Sequence, residues 1–157
     1  MENKSLKGCF KIKDGLKIVE PTDILSKSYL EQARAALLKS EKDVQDNDCL
    51  WATVALYYAD YYALYSFLQK VGLKCENHTC TIIASSFLLG EDRVKIINQH
   101  KDKRTDAQYY LKIDQESKVR EMIQESKIFV AELDNLISNL SDHEINEFRR
   151  KIKDAIK

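Results

Sequence analysis

Glycine and proline are scarce in this chain, with four glycines and a single proline in 157 residues. That scarcity argues against turn-rich all-β architectures and leaves the composition of a helical protein. Net charge is missing too: 25 Lys and Arg balance 25 Asp and Glu. No bulk positive field therefore advertises nucleic acid, and any basic site has to be a local patch. Long apolar runs are absent. No segment reaches the ~18 uncharged residues that a membrane span needs, and the opening MENKSLKGCFKIK lacks the apolar stretch of a signal peptide. Cysteine is sparse and irregular at Cys9, Cys49, Cys75 and Cys80, unlike the dense framework of a small secreted scaffold. These absences imply a cytoplasmic protein with no membrane partner. Glycine-rich phosphate loops, GxSxG elbows and HExxH helices are also missing, and nothing calls for a cofactor.

What is present is helical periodicity. The length suits one compact domain. Residues 9–20, CFKIKDGLKIVE, alternate apolar and polar around Asp14-Gly15, which predicts a small N-terminal β-hairpin within an arm over 1–22. Its Phe10, Ile12, Leu16 and Ile18 are expected to lean on the helical body or on a second subunit. Leu30, Ala33, Leu37 and Val44 recur at helical spacing and predict an amphipathic helix over 23–45. Residues 50–72 are apolar nearly all round, as a central helix requires, and end at Gly72. A short helix over about 80–89 and a fourth from Glu91 to about Lys112 follow. Asp114 is the expected cap of a long fifth helix. Ser141 and Glu144 form a capping box for a last helix over 141–157 that packs on the same domain. The expected fold is an all-α antiparallel bundle of about five to six helices, with its main body over 23–140.

Candidate chemistry concentrates on the fourth helix. At about 100° per residue, Arg93, Ile97, His100, Arg104, Gln108 and Leu111 share one stripe. Cations on an apolar face need partners, because an unpaired charge taken from water costs several kcal/mol. Asp60 lies on the apolar face of the second helix with Leu56, Ala63, Leu64 and Phe67. An Arg104–Asp60 contact is therefore expected, with hydroxyls of Tyr57, Tyr58, Tyr61 or Tyr62 as rival partners for Asp60. Such a link can be purely structural. Arginine, histidine and a carboxylate can also clamp a phosphodiester and shuttle a proton, which makes His100 and Arg93 the candidate catalytic residues of metal-independent RNA cleavage.

CENHTC, residues 75–80, brings Cys75, His78 and Cys80 close in sequence. With Cys49 or Cys9 they could complete a zinc site, but the spacing matches no familiar finger or ribbon. Loop capping by Asn77 or Thr79 with ordinary buried thiols is the favoured reading, and a local Cys75–Cys80 disulfide is a further alternative. No metal is assigned.

The tyrosine-rich ALYYADYYALYSFLQKVGL at 55–73, a His-containing loop and then RTDAQYY at 104–110 resemble the prokaryotic HEPN family, the higher-eukaryote and prokaryote nucleotide-binding domains. The resemblance covers about residues 23–140. It implies a helical bundle, usually a homodimer, with the late arginine helix near a cleft. Some such proteins are toxin ribonucleases, and others accompany a minimal nucleotidyltransferase in a toxin–antitoxin type pair. The motif arginine falls on Arg104, and the motif histidine position falls on Tyr109. Tyrosine, with a reference pKa near ~10, is a poor general base at neutral pH but can stack on a base.

The expectation is a module that binds a nucleotide, RNA or a nucleotidyltransferase partner through Arg104, Asp60, Tyr109 and Gln108. The alternatives are an endoribonuclease using Arg93, His100 and Arg104, and a helical adaptor without ligand.

Overall fold

The computed structural model describes residues 5–157. Within them the chain is an all-α bundle with one small two-stranded antiparallel sheet near the N-terminus.

The first long helix, which follows the one-turn α1 (Leu6–Cys9), is α2 (Asp23–Gln45). Thr22 starts α2 by accepting a hydrogen bond from the Leu25 amide, which satisfies one of the donors that a helix start leaves open. The helix buries Leu30, Ala33, Leu37 and Val44 at the predicted spacing. The chain reverses through Asn47, whose positive φ of 59° tightens the turn. Asp48 then caps α3 (Cys49–Val71) through the Trp51 amide.

α3 is the axis of the fold, with buried residues on all its faces, and α2, α5 and α6 pack around it. Close approach of α2 to α3 is fixed by small polar residues: Ser66 donates to the Ser26 carbonyl at 2.6 Å and Ser40 to the Ala52 carbonyl at 2.7 Å.

Gly72 ends α3 at φ 82°. A Cβ there would lie 2.0 Å from Arg149 Nη1 and 2.5 Å from the Val19 carbonyl oxygen, so both the left-handed backbone and the crowding demand glycine.

The strand geometry departs from expectation. β1 (Leu16–Ile18) forms inside the predicted hairpin segment, but it pairs antiparallel with β2 (Leu73–Cys75), in the register Leu16↔Cys75, Lys17↔Lys74, Ile18↔Leu73. Residues 6–9 are the single turn α1, capped by Ser5. A local hairpin would have left both short strands on the surface. The long-range pairing instead buries Leu16, while Ile12 and Ile18 stay exposed.

α4 (His78–Leu89) starts at Asn77, whose side chain accepts from the Cys80 amide, and ends at Gly90. α5 (Glu91–Tyr110) stops at Leu111, which takes the left-handed conformation at φ 54°. α6 (Glu116–Ser138) buries Val119, Met122, Ile123, Val130, Leu133 and Ile137. Asp114 does not cap it, because its carboxylate is drawn 3.1 Å from Lys103 Nζ. α7 (Asp142–Ala155) carries the predicted capping box of Ser141 and Glu144. It docks through Phe148 edge-on to Phe67 and through Arg149, which donates to the carbonyls of Val19, Val71 and Gly72. Among the described residues no helix is long and apolar enough to cross a membrane.

Candidate functional site

α3 and α5 run antiparallel and meet in layers one turn apart. The first layer is Asp60 with His100, whose Nδ1 and Oδ2 atoms are 2.5 Å apart. Both side chains are sealed from solvent. Burial pushes the Asp60 carboxyl up from its ordinary range, and the hydrogen bond from His100 opposes that shift. Ser126 of α6 joins them, its hydroxyl 3.3 Å from His100 Nδ1 and 3.4 Å from the Leu56 carbonyl.

Serine, histidine and aspartate therefore meet, but not as a hydrolytic triad. Both contacts fall on Nδ1, whereas a relay uses the two ring nitrogens separately. Nε2 faces Glu125, 3.9 Å away.

The expected Arg104–Asp60 contact is thus replaced by His100–Asp60. Both side chains lie on one stripe of α5, one turn apart, and the compact imidazole is the one level with Asp60.

Arg104 occupies the next layer. Its guanidinium carbon lies 4.7 Å from the centre of the Tyr57 ring, a cation–π geometry. Among the described residues no carboxylate pairs with it, and its Nε is buried without a hydrogen-bond partner. One further turn along, the Gln108 side-chain oxygen is also buried and unpartnered.

Tyr57 ties this layer to α4. Its hydroxyl is 3.0 Å from His78 Nδ1. Burial pushes the Tyr57 phenol up to about 12, so it remains protonated and donates. His78 is pulled below its usual range by burial and by the cations Arg104 and Lys101. A neutral His78 accepts at Nδ1 and keeps a proton at Nε2. The imidazole stacks on Tyr61 at 3.9 Å between ring centres, with Tyr58 edge-on beside it. Lys101 reaches Thr79 at the start of α4, 3.3 Å away.

No protein-family model, curated protein or solved structure matches this chain.

The resemblance drawn from the tyrosine-rich helix and RTDAQYY therefore stands on those residues alone. Of the residues singled out from the sequence, Arg104 and Gln108 line the same side of α5, next to the Asp60–His100 layer. Arg93 does not join them: it is exposed two turns from His100, roughly 10 Å along the helix, and borders a shallow groove with Phe129, Glu132 and Leu136 of α6. Tyr109 is 65% exposed at the end of α5, away from the buried aromatic layer.

The zinc alternative and the Cys75–Cys80 disulfide are both displaced by a bond between Cys9 and Cys80. Cys75 is a buried free thiol that donates to the Asn77 carbonyl. The expected Asn77 cap and a buried Cys75 thiol are present, and only Cys80 departs from the ordinary-thiol reading, because a partner 71 residues away leaves no local spacing signal.

Three participants were not assigned their roles from sequence. His78 acquires its place only because Asn77 starts α4 one residue earlier. Tyr57 was weighed as a partner for Asp60, not for histidine and arginine. Ser126 sits within the buried stripe of α6, where nothing marks it.

Proposed function

We propose that this protein is a HEPN-like binding module for a nucleotide or RNA, with its site on the Tyr57–His78–Arg104 layer. One observation carries the reading. Arg104 is held over Tyr57, has no carboxylate partner among the described residues, and keeps a buried Nε without a hydrogen bond there. A structural arginine at that depth normally answers a carboxylate or carbonyl, whereas one stacked on an aromatic and left unpaired suits a phosphate brought by a ligand.

The surroundings support the same chemistry. Lys101 adds positive charge at the rim, the start of α4 favours an anion, and the Tyr58 ring offers a stacking surface for a base. His78, neutral and with a proton on Nε2, supplies a hydrogen-bond donor. Asp60 contributes by fixing His100, and through it the α3–α5 spacing, and does not orient Arg104 directly.

Cleavage of RNA by His100 draws no support from this geometry, since the imidazole is sealed between Asp60 and Ser126 and Arg93 lies elsewhere. A homodimer and a nucleotidyltransferase partner are part of the same proposal and follow from the resemblance. A cytoplasmic setting belongs to the same proposal, with Cys49 and Cys75 free and Cys9 and Cys80 bonded.

The test is fluorescence anisotropy with a labelled single-stranded oligouridine of about eight nucleotides and with a fluorescent ATP analogue. Arg104→Met, which keeps length and apolar packing over Tyr57, is expected to weaken binding at least about tenfold while the protein still melts cooperatively. Failure of both probes to bind the parent protein would remove the reading. Unfolding of Arg104→Met without any probe binding would leave the helical adaptor.

A further inference from the structure

The segment carrying His78 is pinned at both ends by the same N-terminal arm. At one end the Glu76 amide donates to the Asp14 carbonyl, 3.2 Å away. At the other, Cys80 is bonded to Cys9. Between them, His78 stacks on Tyr61 and takes the Tyr57 hydroxyl. Cys80 also receives the Asn77 cap through its amide, so one residue holds the disulfide and the first turn of α4.

Ahead of β1 the arm carries little regular structure of its own. α1 is a single turn of four residues, far below the length at which a helix stands alone. From β1 onward the arm is anchored by the sheet register, by buried Leu16, by the Val19 amide on the Gly72 carbonyl and by Arg149 on the Val19 carbonyl. Ahead of β1 the described residues add the Lys7 contact to the Lys157 carbonyl at 3.0 Å and the partial burial of Leu6 and Phe10.

We propose that the Cys9–Cys80 disulfide is a redox latch that sets the position of His78 and thereby regulates ligand binding. In a reducing compartment a protein disulfide is typically transient and sensing in kind, which fits a bond that ties the N-terminal arm to the first turn of α4, with both sulfurs packed into the core. A dithiol reductant opens it. One reductant thiolate attacks a protein sulfur, the S–S bond breaks, and the other cysteine leaves as a thiolate that takes a proton. The second reductant thiol then closes its own disulfide and releases the remaining cysteine as a thiol. The protein gains two electrons and two protons, and the dithiol is oxidised. Both protein sulfurs are buried, so attack follows lifting of the arm. The effect on binding rests on the function proposed above; the structural latch itself does not.

The experiment uses the full chain, oxidised or treated with dithiothreitol, with thiol state read by alkylation and mass. Amide hydrogen exchange is followed in parallel with anisotropy of the labelled oligouridine. Reduction is expected to speed exchange over residues 76–82 by at least about tenfold while α3 and α6 keep their protection, and to weaken binding. Cys9→Ser should behave as the reduced form without reductant, and Cys75→Ser should keep the switch. Equal exchange over 76–82 in both states overturns the latch. Loss of protection throughout α3 and α6 also overturns it, since the bond would then be a staple of the whole fold. Faster local exchange with unchanged affinity removes its regulatory role. If the probe binds neither form, the binding function fails, while exchange still decides whether the latch exists.

Discussion

His100 Nδ1 and Asp60 Oδ2 lie 2.5 Å apart, and both side chains are sealed between α3, α5 and α6. A hydrogen-bonded pair at this depth fixes how α3 and α5 stack, with the Ser126 hydroxyl of α6 as its further neighbour. Deleting one partner strands the other, which costs about 1–3 kcal/mol for a buried polar group and more for a charged one. His100→Ala and Asp60→Ala are each expected to lower stability by roughly 3 kcal/mol, and the double variant by clearly less than the sum. Urea denaturation of the four proteins closes the cycle. Additive losses would mean that the two residues act separately.

Arg149 reaches 78 residues back along the chain to cap α3, its Nη1 donating to the Val19, Val71 and Gly72 carbonyls at 2.9, 2.9 and 3.3 Å. Those carbonyls belong to a helix end and the adjoining strand segment, where orphan acceptors need donors. Arg149→Met keeps the aliphatic stem and takes this donor from the Val19 and Val71 carbonyls, while the Gly72 carbonyl keeps the Val19 amide, with an expected loss of about 2 kcal/mol. Gly72→Ala is expected to cost at least as much, since the added methyl meets the same guanidinium. Unchanged urea midpoints would show that water takes over the cap.

Much of this architecture was legible because its signals are local. Thr22, Asp48, Gly72 and the Ser141–Glu144 box each mark a helix end within a few residues of themselves. The apolar stripe of α6 was equally plain. The partner of β1 and the partner of Cys9 were not, since both lie after α3 and become neighbours only when the bundle closes. The site was half legible. Periodicity said that Asp60 needs a cationic or hydrogen-bonding partner and that α5 supplies one, but it cannot choose between His100 and Arg104 on one stripe. That choice depends on axial register between two helices, which neither sequence encodes alone. His78 was weighed only as a zinc ligand, because its actual neighbours Tyr57 and Tyr61 come from another helix.

Leu111 is strained as well as exposed. It closes α5 in the left-handed region at φ 54° and is 72% open to solvent. A side chain there costs about 1–2 kcal/mol, and little packing is lost on its removal. Leu111→Gly is expected to raise stability by roughly 0.5–1 kcal/mol after allowing for the added freedom of the unfolded chain. A lower urea midpoint would mean that Leu111 makes a contact beyond its own helix end, such as one with a partner chain.

Tyr57 and His78 bracket a pH window. Folding pulls the His78 pKa below its ordinary value of 6.5 and pushes the Tyr57 pKa from 10.0 to about 12. A depressed folded pKa contributes stability that is present above the unfolded value, so the His78 contribution is complete above about pH 6.5 and fades as pH falls through the lowered value. A raised folded pKa does the reverse. The Tyr57 contribution is complete below pH 10 and fades as pH rises towards 12. The Tyr57–His78 hydrogen bond should therefore hold a plateau of stability between these limits, with the acid edge shallow because His78 is only half-buried. Thermal melts across pH would trace it. In His78→Phe, which keeps the stack on Tyr61 but cannot accept from Tyr57, the acid edge attributable to His78 should vanish. Ligand affinity should follow a different rule: protonating His78 adds a positive charge beside Arg104, so binding of an anionic probe should strengthen as pH falls below 6.5 even while the fold weakens. Affinity that instead falls in parallel with stability would place the probe away from His78.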